Sequence, residues 1–395
     1  MLVQGLAAGA VGAAAALLLY TYIGYPLVLS LLGLRRSGVG GDPEPEADWP
    51  YISISVPMYN EENQARGLIE SLLAIDYPAD RRQILVISDA SSDGTDDIAR
   101  AFAEQGVELL RLPERGGKTK AENAAAEHLR GEIVVNTDAS IRIRPDALKP
   151  LIAAFRDPRV GCASGRDVSV GSAGATGNAG EGGYVGYEMW IRGLETRVGG
   201  IIGASGCFYA IRPTLHRLPL PGALSRDFAA ALHTHEHGYR AVSVPEAVCY
   251  VPRGPQLRKE YRRKVRTITR GMETLWHKRA LMNPLRHGVF AWKLVSHKVC
   301  RWALPWAAMV AFVALAVLAP ANSWALGLFA VGSLLLVLAA IGWLWAERAH
   351  VPRIFSIPAY LVVGNLSAAH AFLRAVRGER DALWEPTRRH VVSSG

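Results

Sequence analysis

Long apolar segments at the two ends of the chain constrain its fold more than any other feature. Residues 6–34 carry no charged side chain, and Arg35 and Arg36 follow at once. A run of about 20 apolar residues can span a bilayer as a helix. A cleaved signal peptide would need positive charge before the apolar stretch, and none is present there. We therefore expect a transmembrane helix over 1–36, followed by a cytosolic domain because the basic flank comes after the helix.

The C-terminal part of the chain contains further apolar segments. Two more spans are predicted within 302–346, where the segments are flanked by tryptophans suited to the membrane interface. The tail, 347–395, is harder to interpret. Its segment 354–372 is apolar on average but holds Asn365 and His370, so that it could cross the membrane or lie in the interface.

Basic residues are concentrated in the segment 256–301, within a chain of net charge +9. Nucleic-acid binding is one interpretation of such a stretch. However, the segment lies directly before apolar spans, where positive charge marks the cytoplasmic membrane face and attracts anionic lipid. Aromatic residues such as Trp276 and Phe290 are interleaved with the cations, as in amphipathic helices on a membrane surface. We therefore expect membrane lipid as a partner of this stretch, and no nucleic acid.

The region between the apolar ends has the composition of an ordinary globular domain. A linker rich in glycine, proline and acids is predicted over 37–50, and a globular domain over 51–255, in which strand and helix patterns alternate from residue 51 to residue 135. Continuous apolar runs at 84–87 and 133–135 are typical of strands buried on both faces. This alternation predicts an α/β domain with a parallel sheet and helices on both sides.

Polar clusters follow three of the predicted strands, at 59–62, 89–94 and 136–140. Ligands in such sheets bind beyond the carboxyl ends of the strands. One acidic turn after a strand would be an unremarkable helix cap, but three in succession are hard to explain as caps. The pattern predicts a crevice lined with carboxylates and amides.

A crevice of this kind could hold a nucleotide-sugar. Asp89 could accept the ring N–H of a uracil, and Asp138 could hold a divalent cation on the diphosphate, since Mg²⁺ prefers one or two carboxylates plus phosphate oxygens and water. Arg263 and Arg266 could clamp the same phosphates. Lys118 could lie near the diphosphate or merely begin a helix.

A series of short motifs occurs in a fixed order along the chain. They are Val56–Glu61, Asp89 with Ser92–Thr95, Gly117-Lys118, Asp138–Ser140, Gly203–Gly206 with Tyr209–Arg212, and Arg226-Asp227. This set resembles the family 2 glycosyltransferases of the GT-A fold, in the membrane-bound branch that includes hyaluronan, chitin and cellulose synthases. The resemblance covers nearly the whole chain. It implies a Rossmann-like mixed sheet, inverting transfer from a nucleotide-sugar, and Mg²⁺ or Mn²⁺ as cofactor.

The resemblance also implies roles for individual residues. Asp227 would be the catalytic base, although by itself it could equally be an ordinary residue at a helix N-terminus. The expected nucleotide-sugar contacts are Pro57, Tyr59, Glu61, Asp89, Asp93, Lys118, Asp138, Arg263 and Arg266. The expected acceptor contacts are Tyr187, Glu188, Gly206 and Trp384, and the expected metal contacts are Asp138 and Ser140.

The chain departs from the family pattern at three positions. Ser140 ends the motif in which the family has a second metal-binding aspartate, which makes metal dependence less secure. Arg226 replaces the acidic residue that usually precedes the base. Around Arg266 the chain keeps the arginine of a Gln-Gln-X-Arg-Trp motif, but Thr267 replaces the tryptophan that would stack on a sugar. The last departure favours transfer of a single sugar over processive elongation.

The sequence therefore predicts a hexosyltransferase at the cytosolic face of the cell's inner membrane, with a UDP-sugar as donor and a polysaccharide or lipid-linked acceptor. Two alternatives stay open. One is transfer of a single sugar to a polyprenyl phosphate. The other is a non-catalytic subunit that binds glycan or nucleotide in a polysaccharide export complex. A homo-oligomer or a separate export partner is compatible with the small number of spans.

The tail leads to a prediction of topology. Its segment Trp-Glu-Pro-Thr-Arg at 384–388 resembles a cytosolic motif of hyaluronan synthases. If the N-terminus is outside and this motif is cytosolic, an even number of spans must follow the catalytic domain, so that 354–372 lies in the interface. A topology reporter fused after Gly395 should therefore read as cytosolic, and the same reporter fused before Met1 should read as external. An external signal from the C-terminal fusion would contradict the prediction.

Overall fold

The computed structural model describes residues 1–34, 48–171, 179–253, 257–345 and 351–379. These residues form an α/β domain on one eight-stranded sheet and a group of long apolar helices from the two ends of the chain. Most of the predicted linker and the tail residue Trp384 lie outside the described residues.

The sheet is mixed, as the family resemblance implied. Its strands are β1 (Ile52–Met58), β2 (Arg82–Ser88), β3 (Val107–Arg111), β4 (Ile133–Thr137), β5 (Arg142–Ile143), β6 (Val160–Gly171), β7 (Phe208–Ile211) and β8 (Arg240–Arg253). Their order across the sheet is β3-β2-β1-β4-β7-β6-β8-β5. The half that contains β3, β2, β1 and β4 is parallel, as the alternation predicted. In the other half, which the alternation did not cover, β7 runs antiparallel to both β4 and β6.

The register of the parallel strands brings their carboxyl ends to one edge of the sheet. Ile54 pairs with Ile84 on one side and with Val135 on the other. The sheet is covered by helices that bury apolar side chains against it. They are α3 (Glu62–Leu73), α4 (Thr95–Arg100), α5 (Lys118–Ala125), α6 (Leu148–Ala153), α8 (Pro213–His216) and α9 (Arg226–Glu236). A further helix, α7 (Ala179–Arg197), lies beside β6 and β8, but its buried Ile191 and Leu194 cluster with Tyr25 and Leu29 near the N-terminus.

The apolar helices come from both ends of the chain. At the N-terminus, α1 (Leu2–Leu19) and α2 (Tyr25–Gly33) join through a π-helical turn. The C-terminal helices are α10 (Leu257–His277), α11 (Pro284–Leu294), α12 (Cys300–Leu318), α13 (Ser323–Trp345) and α14 (Arg353–Val376). Among the described residues, four helices are long and apolar enough to cross a membrane by length and composition, and α14 is one of them. Its predicted position in the interface stays a prediction.

The basic segment 256–301 contains two different elements. Helix α10 is a separate amphipathic helix, whereas α11 continues through a second π-helical turn into α12. The apolar face of α11 packs on the α/β domain, where Phe290 and Leu294 share a buried cluster with Ile202 and Phe228. The helix therefore runs past the predicted boundary at residue 301.

A buried network of charged groups joins these helices to the α/β domain. The Tyr25 hydroxyl of α2 donates to Glu195 Oε1 of α7 over 2.5 Å. His297, between α11 and α12, has Nδ1 2.6 Å from the same oxygen and Nε2 2.9 Å from Glu188 Oε1. Arg301 donates to Glu188 Oε2 over 2.6 Å. We refer to Tyr25, Glu188, Glu195, His297 and Arg301 as the buried ionic network.

Replacement of His297 by leucine should destabilise the protein. Removing one partner of a buried ion pair leaves charge without compensation and costs roughly 3–5 kcal/mol. Thermal unfolding in detergent should show a lower Tm at neutral pH for His297→Leu, while His277→Leu, on an exposed position of α10, should unfold like the wild type. Equal Tm values for the two variants would contradict the role of the network.

The same comparison should depend on pH. Burial alone would raise the pKa of Glu188, but His297 and Arg301 hold it well below its ordinary value of 4.5, and His297 likewise outweighs burial and lowers the pKa of Glu195. A carboxyl with a depressed pKa contributes stability that is present above its unfolded-state pKa and is lost as the pH falls through the folded-state pKa. The difference in Tm between wild type and His297→Leu should therefore shrink in acid, below about pH 4.5.

Candidate functional site

The loops after β1 and β2 form one end of a cleft at the carboxyl edge of the sheet. Asn60 and Ala90 adopt positive φ angles of 50° and 55°, which non-glycine residues rarely adopt and which cluster at functional sites. The two loops are tied together, since the Ser92 N–H donates to Asn60 Oδ1 over 2.8 Å. The backbone here is held in a fixed, uncommon conformation.

Asp89, after β2, is buried and holds the turn that precedes α5. The backbone N–H groups of Gly116 and Gly117 donate to its two carboxylate oxygens over 2.7 and 2.8 Å. Gly117 has a φ of 85°, which favours glycine at this position. A carboxylate can accept further hydrogen bonds, so the predicted contact of Asp89 with a base stays a prediction.

Other predicted nucleotide-sugar residues shape the same loops. The Glu61 N–H donates to Thr95 Oγ1 over 2.8 Å, and Asp93 accepts from the Thr95 and Glu62 N–H groups over 3.1 and 3.2 Å. Pro57 is buried within β1. The Arg115 guanidinium carbon lies over the ring of Tyr59, 3.8 Å from its centroid, and this cation–π contact was not predicted from the sequence.

A pocket of ≈ 250 Å³ lies further along the cleft. It is lined by Lys118, Thr119, Glu122, Asp138, Ser140, Asp167, Gly206, Cys207, Tyr209, Ser225, Arg226, Asp227, Arg263, Arg266, Thr267 and Arg270. Many of the predicted site residues, from five separate stretches of sequence, meet in this one pocket. They are Lys118, Asp138, Ser140, Gly206, Asp227, Arg263 and Arg266.

Lys118 begins α5 and also reaches into the pocket, while its position near a diphosphate stays a prediction. Its Nζ contacts Asp138 Oδ1 and donates to the Gly206 carbonyl over 3.2 Å. Burial alone would lower the pKa of Lys118, but Asp138 and Glu122 outweigh burial and raise it above its ordinary value. The ammonium therefore remains charged at neutral pH.

Asp227 lies in the first turn of α9 and faces the pocket. Its Oδ1 accepts a hydrogen bond from the Ser225 hydroxyl. Its Oδ2 lies so close to Gly206 that a Cβ added at residue 206 would be 2.8 Å from it. A side chain at residue 206 would therefore require the carboxylate to shift.

Helix α10 closes the pocket with a basic wall. Arg270 donates to Thr119 Oγ1 over 2.8 Å and to the Leu224 carbonyl over 2.6 Å, which fixes α10 on the domain. Arg266 and Arg263, one and two turns earlier, line the pocket beside it. On its other side, α10 meets α14, where the Tyr261 hydroxyl is 2.8 Å from His370 Nδ1. The pocket therefore combines carboxylates on the sheet with guanidinium groups on a helix that contacts the apolar helices.

The donor set of the pocket suits a divalent cation that is bound together with a phosphate ligand. Within the described ranges, no three His, Cys, Asp or Glu side chains come together in a group that could hold a metal ion. Asp138 and Ser140 offer oxygen atoms, which are the ligands that Mg²⁺ takes from proteins when phosphates supply the remaining positions. The residues present fit such a shared site.

The predicted acceptor residues Tyr187 and Glu188 do not line the pocket. Glu188 belongs to the buried ionic network, and Tyr187 packs against Tyr22 of α1–α2 and against Trp190, with ring centroids 5.9 and 5.8 Å apart. Their role toward an acceptor stays a prediction, and Trp384 lies outside the described residues.

Three acidic or basic residues of the pocket were missed by the sequence reasoning. Glu122 could have been found, because it lies one helical turn after Lys118 and therefore on the same face of α5. Arg270 likewise follows Arg266 by one turn. Asp167, which accepts from the Ser205 hydroxyl over 2.6 Å, is in the middle of β6 and has no local signal.

Comparisons with known proteins match this architecture. Residues 53–207 match the family model described as Glycosyl transferase family 2. An N-acetylglucosaminyltransferase of Mesorhizobium japonicum is 27% identical over 249 residues, which cover 56% of this chain and 57% of that protein. A beta-monoglucosyldiacylglycerol synthase of Trichormus variabilis is 27% identical over 162 residues, 40% of this chain and 35% of that protein. The chain thus spans about half or less of the length of these curated relatives.

A solved structure extends the likeness to nearly the whole chain. The mannosyltransferase of Pyrobaculum calidifontis in complex with GDP-Man and Mn²⁺ superposes with a TM-score of 0.71 at 24% identity, and covers 94% of this chain and 100% of its own. At this identity the likeness shows the fold. The fold is the GT-A fold with additional apolar helices, as the sequence predicted.

Proposed function

We propose that this chain, a member of glycosyl transferase family 2 through residues 53–207, transfers a sugar from a nucleotide-sugar to an acceptor hydroxyl with inversion at the anomeric carbon. The observation that supports this proposal best is the pocket in which Asp138 and Asp227 face arginines of α10. The pocket supplies positive charge for a diphosphate and a carboxylate for a hydroxyl proton, which are the two requirements of the reaction.

The donor would lie along the cleft, with its base near Tyr59 and Asp89 and its diphosphate near Lys118, Arg263 and Arg266. Preorganised cations stabilise the negative charge that develops on a departing diphosphate without further rearrangement. A divalent cation, Mg²⁺ or Mn²⁺, held by Asp138 and Ser140, would neutralise part of the same charge. We propose a UDP-sugar as donor.

The acceptor hydroxyl would approach Asp227. Oδ2 of this carboxylate takes the hydroxyl proton as the oxygen attacks the anomeric carbon, a new C–O bond forms, and the bond from that carbon to the diphosphate oxygen breaks. The Ser225 hydroxyl donates to Oδ1 and so fixes the orientation of the carboxylate. Proton transfer to a positioned base accounts for about 10²–10⁴-fold in rate.

We propose a lipid-linked or glycan acceptor at the cytosolic membrane face. The pocket is closed by α10, whose other side contacts α14, so that an acceptor anchored in the bilayer would reach the pocket over a short distance. The name of one relative, beta-monoglucosyldiacylglycerol synthase, describes a glycolipid product. Thr267 lines the pocket in place of a tryptophan, which favours the addition of one sugar.

The proposal is tested by nucleoside diphosphate release from the full chain in lipid. A panel of UDP- and GDP-sugars is offered with membrane-lipid acceptors, with Mg²⁺ or Mn²⁺ and with EDTA. We expect release from one donor, loss of release with EDTA, and a fall of about 10²–10⁴-fold in Asp227→Asn. The control is Asp97→Asn, which changes an exposed aspartate on α4 and should leave the rate unchanged.

Absence of nucleoside diphosphate release by the wild type from every donor in the panel would contradict the proposal. It would favour a binding subunit of an export complex. Full activity of Asp227→Asn would instead show that another group removes the proton.

Replacement of Gly206 by alanine should displace the base without removing it. The new Cβ would be 2.8 Å from Asp227 Oδ2, so that the carboxylate must shift, and a misplacement of about 1 Å in a catalytic group can cost about 10²-fold. Steady-state kinetics should show a lower kcat with little change in the donor KM. Gly193→Ala, at a position of α7 with open space around it, is the matched control. A higher acceptor KM at unchanged kcat would support the acceptor contact that the sequence predicted for Gly206.

A further inference from the structure

Arg226, directly before the proposed base, is a buried cation with few compensating groups. Arg226 is 8% exposed. Its Nη1 donates to the His216 carbonyl over 2.8 Å, and its Nη2 contacts Asn123 Oδ1. Its Nε lies 3.6 Å from Glu122 Oε2. Glu122 is therefore the carboxylate that compensates the charge of Arg226.

Glu122 itself is an unusual group. It is 1% exposed and lines the pocket, and neither of its carboxylate oxygens has a hydrogen-bond partner within the described part of the chain. Burying a carboxylate without hydrogen bonds costs several kcal/mol unless opposite charge is close. Burial raises the pKa of Glu122, and Lys118 and Arg226 oppose this effect. Packing alone does not explain why a carboxylate is buried beside the pocket at this cost in folding free energy.

The explanation lies in the geometry of α5. Lys118 and Glu122 are one helical turn apart, so that both project from the same face. Lys118 contacts Asp138, while Glu122 and its neighbour Asn123 hold Arg226, the residue adjacent to Asp227. One short helix thereby holds both of the carboxylates that the proposed reaction uses.

Further contacts fix α5 in place. Thr119 Oγ1 donates to the Leu224 carbonyl over 2.9 Å, and Asn123 Nδ2 donates to the Leu220 carbonyl over 2.7 Å. Both carbonyls belong to the segment that leads into α9. The start of α9 is therefore connected to α5 by hydrogen bonds and by the Glu122–Arg226 ion pair.

We propose that Glu122 is a positioning residue for sugar transfer, which acts through Arg226 to fix Asp227 relative to Asp138. This inference rests on the proposed function. It differs from a purely structural role in one respect. Buried ion pairs can often be replaced by apolar residues without loss of stability, whereas a positioning pair cannot be replaced without loss of turnover.

The test compares four variants with wild type by Tm, donor KM and kcat for nucleoside diphosphate release. Glu122→Gln removes the charge and keeps the shape. The double variant Glu122→Leu with Arg226→Leu removes the pair. The exchange variant Glu122→Arg with Arg226→Glu restores a pair with reversed charges. The control Glu127→Gln changes an exposed glutamate just after α5.

We expect Glu122→Gln to lower kcat at least tenfold with less than a threefold change in donor KM, while Glu127→Gln behaves as wild type. The double leucine variant should have a Tm close to that of the wild type but a kcat as low as that of Glu122→Gln. The exchange variant should have a kcat between those of Glu122→Gln and the wild type. Recovery of kcat in the double leucine variant would overturn the proposal, since the pair would then only support the fold. Recovery of the Tm without any kcat in the exchange variant would overturn it as well, since Arg226 would then act by its own charge.

The design separates this inference from the proposed function, because every comparison is made against wild-type release. If the wild type releases no nucleoside diphosphate from any donor, the proposed function fails. Hydrogen exchange at the start of α9 then tests separately whether Glu122 positions this part of the helix. Faster amide exchange at residues 226–229 in Glu122→Gln than in Glu127→Gln supports positioning, and equal exchange overturns it.

Discussion

The carboxylate of Glu195 is fully buried between three helices, where it meets the hydroxyl of Tyr25 and the imidazole of His297. Much of the remaining architecture depends on this contact. Apolar helices pack on one another with little preference for one position along their axes, because dispersion forces are not directional. Buried charged groups have directional partners and a high cost when a partner is lost. The buried ionic network therefore determines where the α/β domain is placed on its apolar helices.

A buried lysine one helical turn before His297 connects the apolar helices to the segment beside the pocket. Lys293 of α11 is 1% exposed, and its Nζ donates to the Val198 carbonyl over 3.1 Å and contacts the Gly200 carbonyl. These carbonyls end α7 and begin the segment that leads to Gly206, against which Asp227 lies. A shift of α11 would be transmitted along a few residues to the proposed base. The apolar helices are thus part of the site's framework as well as its anchor.

Much of the fold could be predicted from local sequence patterns. The apolar runs at 84–87 and 133–135 do lie in the buried strands β2 and β4, and the polar clusters after β1, β2 and β4 do meet at one edge. The order of the motifs predicted that Lys118, Asp138 and Asp227 belong to one site, and all three line the same pocket. Such signals work because strand length, helix period and loop chemistry are properties of neighbouring residues.

Other features depended on contacts between distant residues. The antiparallel insertion of β7 between β4 and β6 has no local pattern, because a strand's own sequence does not specify its neighbours. The apolar face of α11 looked like a membrane-surface face, since the sequence does not say which apolar surface covers it. The partners of Glu188, the buried cations His297 and Arg301, come from a segment more than 100 residues away and also have no local signal.

The Glu122–Arg226 pair also restricts how this protein can evolve. A change of Glu122 alone leaves a buried guanidinium without compensation, and a change of Arg226 alone leaves a buried carboxylate, so single substitutions at either position pass through a destabilised form. The two positions lie 104 residues apart in the chain, from 122 to 226, yet they can be exchanged only together. In proteins descended from this chain, the residues at positions 122 and 226 should therefore change together. Where position 226 is acidic, position 122 should be uncharged.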